Sequence, residues 1–77
     1  MYTVKIKIIN SYRSILKTRD YSFNRLNKAQ KFFEENSNAC EIVSKHYGRI
    51  FQVLLIDKGD NYRQLNEIKG GRLLQVI

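Results

Sequence analysis

The segment IFQVLLI, residues 50–56, constrains the fold more than any other part of the chain because apolar side chains occupy both of its faces. Runs of this kind are typical of a central strand in a sheet that is covered on both sides. We therefore expect alternate residues of the strand to face two layers: Phe51, Val53 and Leu55 on one side, Ile50, Leu54 and Ile56 on the other.

The length of 77 residues allows one domain, residues 1–77, with a thin core, because a chain this short buries only about 60% of its unfolded surface. A content of 43% hydrophobic and 27% charged residues indicates a folded chain and not a disordered one. Cys40 is the only cysteine, so no disulfide framework exists and a reducing cytoplasm is expected. No apolar run approaches the roughly 20 residues of a membrane span, and no signal peptide pattern follows Met1.

The first part of the chain reads as two antiparallel strands. Apolar and polar residues alternate through Tyr2–Ile8, and the turn formers Asn10 and Ser11 separate this segment from a second strand over Tyr12–Tyr21. The pairing predicts one basic sheet face that carries Lys5, Lys7, Lys17 and Arg19, with Ile15 and Tyr21 among them.

A helix follows, capped by Ser22 or Asn24. Its apolar stripe recurs at intervals of three and four residues: Phe23, Leu26, Ala29 and Phe33, widened by Phe32. Tyr21 and Leu26 occupy the positions of a hydrophobic staple if Ser22 is the N-cap. We expect the helix to end near residues 36–38.

Two strands, Cys40–Lys45 and Ile50–Asp57, are expected around a tight turn at Gly48. Residues 62–69 end at Gly70 and Gly71, which suits a short helix with a glycine C-cap or a strand that enters a hairpin; we favour the helix. RLLQVI, residues 72–77, closes the chain as a strand. The predicted class is α+β: a small antiparallel sheet with one main helix on one face, in the order β-β-α-β-β, then a short helix or turn and a final strand.

The sequence offers no catalytic or metal-binding constellation, and we expect no cofactor and no enzymatic activity. His46 is the only histidine, and with Cys40 it would supply only two of the four ligands that zinc prefers. Glycine-rich phosphate-binding patterns are absent, and the glycines of KGGR, residues 69–72, are explained as turn residues. Asp57 and Asp60 share one loop, where solvated turn aspartates are favoured over a calcium site.

The charge distribution is the one feature that indicates a function. Residues 1–31 hold eight Lys and Arg against one acid, Asp20, whereas residues 32–77 hold six against six, so the formal net charge of +7 lies in the first part of the chain. A concentrated positive potential attracts polyanions or acidic protein surfaces, although lysines on a solvated sheet face also prevent aggregation. The candidate binding residues combine these cations with two aromatic rings: Lys5, Lys7, Tyr12, Lys17, Arg19, Tyr21, Lys28 and Lys31.

Three features define the predicted layout: a lysine-bearing first strand (YTVKIKII), a capped helix with alanine in its apolar stripe (SFNRLNKAQKFF) and a glycine-turned hairpin (EIVSKHYGRIFQVLLI). This layout resembles that of several small phage anti-CRISPR proteins. The resemblance implies a non-enzymatic inhibitor of a host nucleoprotein defence machine, in the host cytoplasm, and assigns no functional residue. The alternative is direct, largely sequence-independent binding of DNA or RNA.

A second copy of the chain is also an expected partner. One helix covers only one face of the strand over residues 50–56, and uncovered apolar patches usually mark interfaces. The C-terminal residues would either fold back over the second face or pair with another molecule. The expected homodimer interface consists of Leu54, Ile56, Leu73 and Val76.

Overall fold

The computed structural model describes residues 1–59 and 61–77, so Asp60 and any role for it lie outside the described residues. One helix and five strands follow each other along the chain: β1 (Tyr2–Ile9), β2 (Ile15–Phe23), α1 (Leu26–Tyr47), β3 (Ile50–Asp57), β4 (Asn61–Lys69) and β5 (Arg72–Gln75). The strands form a single antiparallel sheet in the order β2-β1-β3-β4-β5, with β3 at its centre. The predicted α+β class is confirmed.

The central strand β3 divides its apolar residues between two layers, as its sequence predicts. Phe51, Val53 and Leu55 belong to the core cluster that α1 covers, where Phe33 and Ala29 are almost fully buried. α1 packs on one face of the sheet only. We call this the helix face, and the opposite one the open face.

Helix α1 continues to Tyr47, about ten residues beyond the predicted end, and the expected strand Cys40–Lys45 is wrong because these residues continue the helix. Its buried stripe is built largely from small residues: Ala29, Phe33, Ser37, Cys40 and Ser44. The Asn36 side chain donates to the Phe32 carbonyl oxygen at 2.9 Å, so its polar group is satisfied within the helix instead of ending it. Gly48 has positive φ (67°) as the helix C-cap and not as a hairpin residue.

The helix also begins later than expected. Arg25 is the N-cap and no side chain caps the helix, so neither Ser22 nor Asn24 has the predicted role and the predicted staple is absent. The reason is that β2 continues to Phe23, which pairs with Tyr2 on β1. Phe23 is therefore a strand residue and not the first residue of the helical stripe.

The segment over residues 62–69 is strand β4, so the favoured short helix is wrong and the hairpin alternative is correct. β4 and β5 are joined through Gly70 and Gly71, both with positive φ, as a tight two-residue hairpin requires. The strand is hard to recognise because polar residues of its helix face pair with polar residues of α1. Asn66 donates to the Ser37 hydroxyl at 3.0 Å, and Gln30 donates to the Gln64 side chain.

No helix covers the open face among the described residues, and residues 62–77 extend the sheet instead of folding back over it. Leu54 and Ile56 are nevertheless only 5% and 8% exposed. Their cover comes from cross-strand neighbours, since Leu54 lies between Lys5 on β1 and Leu65 on β4. At one end the β1–β2 turn is tied to β4 by an ion pair between Arg13 and Glu67 at 3.2 Å.

One of the three parts on which the anti-CRISPR resemblance rests is therefore absent. The first strand and the helix are present, but EIVSKHY belongs to α1 and forms no hairpin with β3. Of the features on which the resemblance relies, the structure retains a lysine-bearing strand and a helix on a sheet, without the predicted side-chain cap.

Candidate polyanion-binding surface

The predicted basic face is not formed, because the register of β1 and β2 sends its four cations to opposite sides of the sheet. Lys17 pairs with Ile8, and Arg19 pairs with Ile6, whose neighbours on the same side of β1 belong to the helix-face core. Lys5 and Lys7 alternate with those isoleucines and lie on the open face. The side chains that the sequence analysis grouped together therefore belong to two separate surfaces.

The open-face pair is the weaker candidate for a partner site. Lys5 and Lys7 are both half-buried in the sheet surface. Lys5 also lies 3.9 Å from the carboxylate of Asp20, the one acid of the basic segment. These lysines fit the role of polar residues on a solvated sheet face.

Lys17 and Arg19 lie on the helix face, where β2 packs beside α1. Tyr21 and Phe23, at the end of β2, contact Phe32 of α1, with ring centroids 4.8 Å and 5.0 Å apart. This aromatic contact joins the strand to the helix. It brings the basic residues of β2 next to those in the first half of α1, and we call the resulting group the β2–α1 surface: Lys17, Arg19, Tyr21, Lys28 and Lys31.

The spacing within the β2–α1 surface follows from the two elements. Arg19 and Lys17 lie on the same side of β2 as Tyr21, about 7 Å and 13 Å along the strand. On the helix, Lys28 precedes Phe32 by about one turn, or roughly 6 Å. The four cations are all exposed, so their charges border an aromatic contact without being buried by it.

The charge of this surface is strongly positive. Among the described residues one carboxylate is paired with its cations: Glu35 lies 3.9 Å from Lys31 in an exposed pair on the helix. The first turn of α1 contains no acid, so the positive end of the helix dipole adds to the same field. The β2–α1 surface therefore carries four cations, and one of them is paired with a carboxylate.

A cleft of about 340 Å³ opens on this surface, lined by Phe23, Lys28, Lys31, Phe32 and Glu35. The two phenyl rings form its apolar part. The lysines and the glutamate form its polar rim. The sequence shows the cations and aromatic residues separately, but Phe23 and Phe32 looked like helix-stripe residues, so their role in a cleft was missed.

Two further residues of the basic segment, Arg25 and Tyr12, are exposed at the two ends of β2. Arg25, which the sequence analysis left out of the site, is exposed at the junction of β2 and α1 and adds another cation there. Tyr12 is 86% exposed in the β1–β2 turn, where its backbone amide donates to the Asn10 side chain at 2.9 Å. Tyr12 therefore lies outside the β2–α1 surface and beyond the strand that carries Lys17.

Two titratable groups of the described residues, both away from this surface, have pKa values outside their usual range. Burial raises the pKa of the Cys40 thiol to about 11, which keeps it protonated and unreactive. The pKa of Asp57 is lowered, first by the backbone amide of Lys58 and then by Arg63, whose guanidinium lies 2.9 Å away. Within residues 1–59 and 61–77, no three His, Cys, Asp or Glu side chains are grouped as metal ligands.

The predicted homodimer interface does not form one surface. Leu54 and Ile56 are buried within the chain. Leu73 packs against the core on the helix face, opposite to them. Of the four predicted interface residues, Val76 is the exposed one, at 50%. Its neighbours Leu74 and Ile77, which were not predicted, are 65% and 50% exposed.

Comparison of the chain with models of protein families, with curated proteins and with solved structures finds no match in any of the three. In the described part of the chain, no helix is long and apolar enough to cross a membrane.

Proposed function

We propose that this protein is a small, non-enzymatic binding protein whose β2–α1 surface holds the nucleic acid of a host nucleoprotein machine. The observation that carries the proposal is that Lys17 and Arg19 lie on the helix face of β2, which packs through Tyr21 and Phe23 against the half of α1 that carries Lys28 and Lys31. Among the described residues, Glu35 is the one carboxylate in an ion pair with these cations. Phosphates are the polyanions that such a surface attracts most strongly.

The geometry favours binding over a merely solvated surface. Lysines that only protect an edge strand need no particular neighbours. Here the cations of β2 border an aromatic contact with a helix that carries more cations, and the rings line an open cleft. Surfaces that combine cations with accessible aromatic rings are typical of single-strand binding, where phosphates and bases are held together.

The biological role we propose is that of a phage or mobile-element inhibitor, anti-CRISPR-like, that acts in the host cytoplasm by binding the nucleic acid of a defence complex. The chain is rich in Lys, Asn and Ile, which make up 24 of its 77 residues. An AT-rich genome tends to produce this composition, which fits many phages and mobile elements and also many low-GC bacteria. Nucleic-acid binding without any host machine is the second candidate, and the aromatic cleft favours it. Both roles use the same contact.

The test of the contact is a pair of matched charge reversals. Lys17→Glu with Arg19→Glu changes the charge of the β2–α1 surface by four units. Lys69→Glu with Arg72→Glu makes the same change at the exposed β4–β5 hairpin, near the opposite sheet edge. We expect the first pair to weaken binding of a single-stranded oligonucleotide at least tenfold at low salt, and the second pair to weaken it much less, because local field and not net charge holds the phosphates.

Circular dichroism must show that both double variants keep the fold. If both pairs weaken oligonucleotide binding equally, the net charge of the protein determines the affinity, and the proposed surface is wrong. A capture experiment from host lysate, with and without nuclease, then separates the two roles. Retention of a defence complex supports the inhibitor, whereas recovery of nucleic acid alone supports the second candidate.

We also propose a homodimer, through the edge of β5 and not through the open face. Leu74, Val76 and Ile77 are the exposed apolar residues of this edge. The opposite edge, β2, carries Lys17, Arg19 and Asp20, charges that discourage strand pairing.

A further inference from the structure

We infer that the cleft of the β2–α1 surface binds one unpaired base of a single-stranded nucleic acid, stacked against Phe23 and Phe32. This inference rests on the proposed function and adds to it the form of nucleic acid that the surface prefers. A duplex keeps its bases stacked inside, so only a single strand, or a strand with unpaired bases, can offer a base to such a cleft.

The shape and lining of the cleft support a flat apolar ligand. Its volume of about 340 Å³ lies at the small end of the range typical of ligand sites. The rings of Phe23 and Phe32 pack on each other at 47°, with centroids 5.0 Å apart, so together they form one apolar floor on which a flat ligand can stack. Tyr21 supports Phe32 from the other side at 4.8 Å.

The charges at the rim determine which part of a nucleotide enters. Lys28 and Lys31 are exposed at the edge of the cleft, where they can hold the phosphates on either side of an inserted base. Glu35 shares the lining, and its carboxylate repels a phosphate inside the cleft. A neutral base is therefore the part of the strand that stacks on the exposed side of the paired rings, while the backbone follows the lysines toward Arg19 and Lys17.

The experiment compares three labelled probes of about 12 nucleotides, a length within the range that small single-strand-binding domains cover. They are an oligothymidine, an abasic oligonucleotide with the same number of phosphates, and a duplex of the same length. We expect the abasic strand to bind about tenfold more weakly than oligothymidine, since stacking of one base contributes about 1–3 kcal/mol. We expect the duplex to bind more weakly than oligothymidine.

Variants locate the effect. Phe23→Leu and Phe32→Leu remove one ring each and should reduce the advantage of oligothymidine over the abasic strand. Tyr62→Leu removes an aromatic ring that is 57% exposed and pairs with Ile56 on β3, away from the cleft, and should leave that advantage unchanged. If either phenylalanine variant fails to fold, ring-proton NMR shifts of Phe23 and Phe32 in the unmodified protein give the same information.

Each outcome decides between the claims. Equal binding of the abasic strand and oligothymidine, or no shift of the two rings, overturns base stacking while the phosphate contact of the proposed function stands. Tighter binding of the duplex than of oligothymidine also overturns the inference. If none of the probes binds, the proposed function itself is wrong.

Discussion

Gly71 is the residue at which the fold tolerates a side chain least. Its φ is 75°, and a Cβ placed there would lie 2.8 Å from the Cβ of Lys45 on α1. Its amide also donates to the Ser44 hydroxyl at 3.2 Å. The adjacent Gly70 has a similar φ of 60° but open space around it. Because Gly71 has no side chain, the β4–β5 hairpin can pack closely against the end of α1.

This difference predicts unequal effects of two matched substitutions. Gly70→Ala should lower the free energy of unfolding by about 1 kcal/mol, the cost of a left-handed alanine. Gly71→Ala pays the same conformational cost and adds a clash with helix backbone and side chain, so we expect a loss of about 2–4 kcal/mol. Urea unfolding of both variants measures the difference. Equal losses would mean that the hairpin can move away from α1 without penalty.

At the scale of elements, polar side chains that pair between α1 and β4 explain why the sequence-based prediction fails for the second half of α1 and for β4. Strands β1 and β3 show clear apolar patterns, and the sequence predicts both. The second half of α1 and the helix face of β4 carry Ser37, Ser44, Gln64 and Asn66, which break apolar periodicity in each element considered alone. Their hydrogen bonds form only when the two elements pack together, so no local pattern in the sequence reveals them.

The Ser37–Asn66 hydrogen bond should therefore have a measurable coupling energy. Both side chains are buried, at 1% and 7% exposure. Asn66→Ala and Ser37→Ala should each lower the free energy of unfolding by about 1–2 kcal/mol, because each leaves a buried polar partner unsatisfied or exposes a cavity. The double variant should lose less than the sum of the two, by about 1 kcal/mol. Strict additivity in denaturant unfolding would show that water replaces the lost partner.

The candidate site also depends on one feature that the sequence shows and one that it does not. The charge imbalance of residues 1–31 is visible in the sequence, and these residues include the cations of β2 and of the first half of α1. The register is not visible there. Because side chains alternate along a strand, the pairing of Lys17 with Ile8 separates it from Lys7, and a shift of one residue would have done the opposite.

For the whole molecule, the two edges of the sheet predict opposite behaviour. Edge β2 exposes Ile15 and Leu16 but carries the charges of Lys17, Arg19 and Asp20 beside them, whereas β5 and the residues after it expose Leu74, Val76 and Ile77. Two β5 edges related by a two-fold axis at Leu74 would place this residue against Leu74 of the partner subunit and continue the sheet to ten strands. With neighbouring strands about 4.8 Å apart, the two β2 strands would then lie roughly 40 Å apart. Each would present one β2–α1 surface to a long nucleic acid.

The last prediction is that Leu74→Lys abolishes the dimer while the fold survives. A lysine on both sides of the two-fold axis places like charges directly opposite each other, which opposes strand pairing. Leu16→Lys is the matched control, since Leu16 is 59% exposed on the other edge strand and should leave the dimer intact. Sedimentation equilibrium across micromolar concentrations measures both. An intact chain that sediments at 9.1 kDa throughout that range is a monomer, and the β5 edge would then not pair with a second copy.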